Sequence, residues 1–219
     1  MAISYNPGLV TTGLLVYLDA GNPKSYPGSG TSLFDLSGNA RTATVNGSPT
    51  FTGYYFTTTA DTTYISLPSA GLSPGVGNFT YSIWVWFNSV DSLDTLIENG
   101  SWTDSLLLRL ETNIVTVYAE GSLRGSFSWT PSINTWYNVV FTRESSTTSM
   151  FVNGVLTGTP FTMTTDINIG VANVFLMRSQ HSTAQFINGR FSAFSVYSSA
   201  LTPGEILSNF SALRGRFGI

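Results

Sequence analysis

Cysteine is absent from the 219 residues, so no disulfide framework supports this chain and its fold rests on its core. Charge is scarce too. Asp, Glu, Lys and Arg make up 10% of the sequence, where about 25% is usual. One Lys, eight Arg and a net charge of −3 leave no basic footprint for nucleic acid. No apolar run approaches the length that spans a bilayer. The opening "MAISYNPGLV" lacks the basic segment and long apolar stretch of a secretory leader. The single histidine, His181 in "RSQHSTAQF", has no Asp beside it and reads as a loop residue rather than a general base or metal ligand. A surface this poor in charge is either covered by partners or kept soluble by hydroxyl groups.

Those hydroxyls are abundant, since Ser and Thr supply roughly a quarter of the chain. Aromatic residues reach 14%, with 21 Gly and 9 Pro. Thr, Tyr, Phe, Trp and Val favour strands, while Gly and Pro punctuate them. The composition is all-β, and a length of this order suits one sandwich domain. A single domain over residues 1–219 is expected, with short terminal arms at about 1–10 and 212–219.

Strand-like segments recur between turn signals. They are Leu14–Ala20, Ala43–Val45, Thr50–Phe56, Tyr64–Leu67, Phe79–Phe87, Thr95–Glu98, Leu106–Glu111, Ile114–Glu120, Gly125–Trp129, Trp136–Arg143, Ser149–Val152, Asn168–Gly170, Val174–Arg178 and Phe191–Tyr197. Asn153-Gly154, between "MFV" and "VLTG", is a strong hairpin signal. Near the end, Thr202-Pro203-Gly204-Glu205 fits a capping box with Pro at the first helical position, which predicts a short helix from Glu205 to about Phe210. In "FTYSIWVWF", Phe79, Tyr81, Ile83, Val85 and Phe87 fall on one face, and Trp84 and Trp86 on the other. Such a strand is either buried on both faces or offers a Trp to a ligand.

The acidic residues Asp91, Asp94, Glu98 and Asp104 cluster in "DSLDTLIENGSWTD", where Asp, Asn and Ser read first as turn formers and second as a cation loop. Asp35 in "DLSGN" reads as an Asx turn and is a weak metal candidate. The tail "ALRGRFGI" sets Arg214 and Arg216 beside Phe217. It is either a docking arm, since Arg and aromatics are enriched at interfaces, or a tail folded back on its own domain.

The segments "FTYSIWVWFN", "NTWYNVVFTRESSTTSMFVNGVLTG" and "NGRFSAFSVYSSALTPGEI", in that order, resemble the laminin G-like branch of the concanavalin A-like lectin/glucanase superfamily. The leading "GLLVYLDAGNPKSYPGSGTSLFDLSGNA" is similar to such domains in structural proteins of bacteriophages, marine and cyanobacterial ones in particular. The resemblance implies a jelly-roll β-sandwich of two antiparallel sheets with one short C-terminal helix. It says less about function, because this fold hosts lectins, hydrolases and scaffolds.

Departures from the family pattern shape the functional expectation. Members often carry two acids in the last strand after "GR", where Ser192 and Ala193 stand here. Calcium-binding relatives such as pentraxins use an acidic pair before "YI". Thr62 and Thr63 occupy that place, with Asp61 one residue earlier as a second weak metal candidate. Calcium needs six to eight oxygens, several of them carboxylate, so no cofactor is expected. Glucanase members carry Glu-x-Asp-x-Glu on one strand, whereas the five Glu here, Glu98, Glu111, Glu120, Glu144 and Glu205, are isolated. Hydrolysis needs paired carboxylates, and no enzyme is expected. Only Glu98 and Glu111 are placed near a concave face.

Two readings follow. The first is a non-enzymatic virion protein, a capsid decoration or cement subunit partnered by the major capsid protein and by copies of itself. The alternative is a carbohydrate-binding adhesin that recognises cell-surface glycans through Trp84, Trp86, Trp102 or Trp129. Neither involves a nucleic acid or membrane.

Overall fold

The computed structural model describes residues 8–91, 93–101, 103–170, 173–182 and 184–219. Among them are β1 (Leu14–Asp19), β2 (Ser32–Leu33), β3 (Ala43–Asn46), β4 (Thr50–Thr52), β5 (Tyr55–Thr58), β6 (Tyr64–Pro68), β7 (Phe79–Phe87) and β8 (Asp94–Ser101). There follow β9 (Asp104–Glu111), β10 (Ile114–Ala119), β11 (Ser122–Ser128), β12 (Trp136–Glu144), β13 (Thr147–Val152), β14 (Val155–Thr162), β15 (Asn173–Leu176) and β16 (Gly189–Tyr197). Helix α1 (Pro203–Leu213) and a 3₁₀ turn, Arg214–Phe217, close the chain.

The strands form two antiparallel sheets. Sheet A runs β14-β13-β12-β7-β16-β5-β4, and β1 pairs with β16 beyond the reach of β5. Sheet B runs β11-β10-β9-β8-β15-β6-β3-β2. Side chains alternate across a strand, so each sheet has one inner face. From β7 the inner face takes Phe79, Tyr81, Ile83, Val85 and Phe87, as the alternation predicts. Leu106, Leu108 and Leu110 of β9 and Val115 and Val117 of β10 meet them in one core. The expected jelly-roll sandwich with a C-terminal helix is what the chain forms.

Local signals act as expected at two turns. Asn153 and Gly154 take φ of 52° and 82°, both left-handed, and join Val152 to its partner Val155. At α1 both halves of the capping box are present: Glu205 N donates to Thr202 Oγ1 at 3.3 Å, and Thr202 N donates to Glu205 Oε2 at 2.8 Å. The helix runs on to Leu213 and into the 3₁₀ turn, beyond the expected Phe210, because Phe210 and Phe217 both find a place against sheet A.

Two strand expectations are corrected. Residues 50–56 form a hairpin rather than one strand: Gly53, at φ 61°, begins a two-residue turn and Thr52 pairs with Tyr55. Residues 168–170 form no strand. Ile167 makes one isolated bridge to Gly75, and Ile169 goes into the core from a loop.

Candidate ligand-binding face

The outer face of sheet A carries Trp84 and Trp86 of β7, Trp136, Asn138, Val140, Thr142 and Glu144 of β12, and Ser149 and Phe151 of β13, by the alternation and the register Trp136–Trp86, Val140–Phe151 and Thr142–Ser149. Helix α1 and the 3₁₀ turn lie along this face. At the helix start, Leu201 and Ile206 cover Val140, Phe151 and Tyr197. At the far end, Phe210 and Phe217 cover Trp84, Trp136 and Ala193.

This cover decides the fate of several expected site residues. Trp84 is 3% exposed. Its ring stacks on Phe217 at 4.1 Å and on Phe210 at 5.7 Å, so it has no free face for a ligand. Phe217 also packs 4.7 Å from Trp136. Arg216 Nη2 bonds Asp19 Oδ2 at 3.1 Å, and the Tyr17 hydroxyl donates to the same oxygen at 2.9 Å. The tail is therefore folded back on its own domain, and Arg216 and Phe217 are spent inside the chain rather than offered to a partner. Arg214 stays exposed beside Phe210. Ala193 explains one departure from the family pattern, since an acid there would be buried against Trp84 and Phe210. Ser192, wholly buried, donates instead to the carbonyl of Tyr54 at 2.6 Å.

Trp86 is half-buried at the rim of the helix cover. Its Nε1 donates to Asn88 Oδ1 at 3.1 Å, and the Arg190 guanidinium lies over its ring at 4.4 Å. Trp129 is packed against the core edge, perpendicular to Tyr137 at 5.1 Å. Trp102 lies outside the described residues. The structure thus brings Trp84 and Trp86 onto one face and leaves Trp129 elsewhere.

Between the start of α1 and β12–β14 the same face opens into a groove of about 350 Å³. One side is polar: Thr142 and Ser149 face each other across β12 and β13, and Glu144 faces Thr147. The other side is apolar: Phe151, Leu156, Leu201 and Pro203. Among the described residues none of those four polar side chains hydrogen-bonds or ion-pairs with another group of the protein. Thr142 nevertheless retains only 5% exposure. Ser149 is half-buried, whereas Glu144 and Thr147 are exposed; a buried hydroxyl without a protein partner, as at Thr142, is uncommon. No Lys or Arg lines the groove. The sequence reading missed it because its residues are Ser, Thr and one lone Glu, a composition shared with most of this chain. The only available signal was the alternation of Thr142, Glu144, Thr147 and Ser149 around one hairpin.

On the outer face of sheet B several polar groups bond one another, although Thr95 Oγ1, opposite Arg109, is buried without a partner. Arg109 Nε donates to Glu111 Oε1 at 2.8 Å, and Thr116 Oγ1 donates to the same oxygen at 3.0 Å. Arg109 also reaches the Tyr118 hydroxyl at 3.0 Å. Glu98 is wholly buried, accepts from Gln180 N at 2.8 Å and sits 2.6 Å from His181 Nε2. Burial pushes its carboxyl up, against the opposing pull of the Gln180 amide and His181. Neither Glu98 nor Glu111 presents a free carboxylate.

The weak metal candidates are far apart in role. Asp35 accepts from the amides of Tyr17, Ser37 and Arg41 and from the Ser37 hydroxyl, which is the Asx-type turn expected. Asp61 stands in a surface turn. Among the described residues no three His, Asp or Glu side chains come together as metal ligands.

Comparison with known proteins agrees with this architecture. The sequence model of a laminin G family, described as concanavalin A-like lectin/glucanases superfamily, matches residues 57–207. No curated protein sequence matches. Among solved structures, the chain is similar to the binding domain of botulinum neurotoxin DC in complex with rat synaptotagmin II, with a TM-score of 0.70 at 15% identity, covering 92% of this chain and 52% of that one. It is similar also to the ligand-binding domain of botulinum neurotoxin serotype D in complex with N-acetylneuraminic acid, with a TM-score of 0.70 at 15% identity over 92% of this chain and 51% of that one. The chain spans about half the length of these structures, and identity so low carries the fold alone.

Proposed function

Because the chain belongs to the concanavalin A-like lectin/glucanase superfamily, we propose that it works without catalysis, as a carbohydrate-binding domain whose site is the groove between α1 and β12–β14. The observation that carries this reading is the row of Thr142, Ser149, Glu144 and Thr147, none bonded to another side chain or backbone group, facing Phe151 and Leu156 across about 350 Å³. A sugar ring has the complementary character. Its hydroxyls both donate and accept, as Thr and Ser do, and its C–H face packs on apolar walls. The volume lies in the range of small-ligand sites. Glu144 is the one carboxylate in the groove, and glycoside hydrolysis uses two. The structural neighbours, one in complex with N-acetylneuraminic acid and one with synaptotagmin II, support a binding role in general.

The test is a glycan array followed by calorimetry on the best ligand. The T142V/S149A double variant should keep the fold and weaken binding about tenfold or more, corresponding to about 1.4 kcal/mol. Unchanged affinity in that variant, or an array without any bound glycan, overturns the reading.

A second reading, the virion decoration subunit, draws on one observation. Val155 and Leu156 on edge strand β14 and Leu207 on α1 are exposed at 66%, 51% and 49%, an apolar group suited to a protein partner. Co-sedimentation with tailless capsids in many copies supports it, and absence from the particles removes it.

A further inference from the structure

At the Trp136 end of sheet A, away from the groove, Arg190 of β16 stands between two rings. Its guanidinium carbon lies 4.8 Å from the centre of Tyr55 and 4.4 Å from that of Trp86. Trp86 is its cross-strand partner on one side and Thr57 on the other. Stacking on aromatic faces fixes the plane of a guanidinium. It does nothing for the five N–H donors, which point outward in the plane.

Six of the eight arginines give those donors an acceptor. Arg41, Arg124, Arg143 and Arg178 bond backbone carbonyls, and Arg109 and Arg216 bond carboxylates. Arg214 is exposed and bonds water freely. Arg190 alone is both half-buried and without a hydrogen bond or ion pair to any described residue. No described carboxylate neutralises it. Preorganised, planar and unpaired, it is poised for an outside anion.

We propose that Arg190, with Tyr55 and Trp86, forms a second ligand subsite that takes the carboxylate of an acidic sugar. A carboxylate matches the planar fork through two parallel N–H···O bonds. The Tyr55 and Trp86 rings, both half-buried, give the sugar ring an apolar rim, and the Thr57 hydroxyl lies next along the row. The subsite is independent of the groove, which holds a carboxylate and no cation. The two ends of one sheet face therefore carry opposite charge.

The probe is a trigalacturonate and its methyl ester, which differ only in the carboxylates. Binding is read by calorimetry and by tryptophan fluorescence, to which Trp86 contributes. The acid should bind at least about tenfold more tightly than the ester, with affinity that falls as salt rises. R190Q should abolish that preference. R190K, which keeps charge but loses the planar fork, should retain only part of it. T142V/S149A should leave it unchanged, so this proposal and the groove reading fail separately. Equal affinity for acid and ester, no binding of either, or a preference that survives R190Q overturns the proposal. Should R190Q fail to fold, full retention of the preference by R190K is the contradicting result.

Discussion

Arg143 is the largest wholly buried side chain in the described structure. It carries a charge into the interior without an ion pair. Its guanidinium donates instead to the carbonyls of Gly75, Gly77 and Thr165 at 2.6–3.0 Å, and so pins two loops to the end of β12. Burial lowers its pKa, against the pull of Asp166. Arg143→Leu should cost about 3 kcal/mol in chemical denaturation, because it removes the hydrogen bonds by which a wholly buried side chain ties the Gly75, Gly77 and Thr165 carbonyls to β12. A loss below about 1 kcal/mol would contradict that role. The sequence showed Arg143 only as the polar end of an apolar strand, and nothing local distinguishes a snorkelling Arg from one solvated by distant carbonyls. Asp94 is the converse case. Wholly buried, it accepts from the Asp91 amide at 2.9 Å on one oxygen and has no partner on the other. Burial pushes its pKa up to about 7. An acid whose pKa is raised by folding binds its proton more tightly when folded, so stability is greatest below 3.8 and declines as pH rises through about 7. Asp94→Asn should flatten that decline in denaturation midpoints between pH 4 and pH 8. An unaltered pH profile would show that the buried carboxyl does not titrate there.

At the scale of elements, α1 was the most legible feature. A capping box uses residues three apart in sequence, so Thr202, Pro203 and Glu205 announce it without tertiary information. Thr202→Ala should cost about 1 kcal/mol, measured by thermal denaturation, and an effect near zero would mean that packing alone holds the helix start. The extension of the helix was hidden because it depends on where Phe210 and Phe217 land. Phe217 fills the space among Trp84, Trp136 and Tyr54. Phe217→Ala should cost about 3 kcal/mol and expose Trp84 to quenching by acrylamide. Trp84 that remained protected would show that the tail is not its cover. The hairpin of β4 and β5 looks like one strand in the sequence because Gly53, set among Phe51, Tyr54, Tyr55 and Phe56, also reads as a strand glycine. The Asn153-Gly154 turn, with both residues left-handed, was plain from its dipeptide.

Across the whole molecule, the alternation of β7 and the order of three family-like segments made the two-sheet fold readable. The candidate face on sheet A was not. Trp84 and Trp86 were recognised as sharing a face, but only the fold shows that α1 closes one and leaves the other beside Arg190. The groove was invisible because Thr142, Glu144, Thr147 and Ser149 become a row only through the register of β12 and β13, and their lack of partners is a property of the assembled sandwich.

Whether the groove between α1 and β12–β14 takes a glycan is decided by amide chemical-shift mapping during titration with the best array ligand. Glycan binding there should give saturable shifts concentrated at Thr142, Glu144, Thr147, Ser149, Phe151 and Thr202, with the β8–β10 amides unmoved. Shifts centred on Arg109, Tyr118 and His181 instead, with the groove silent, would contradict it.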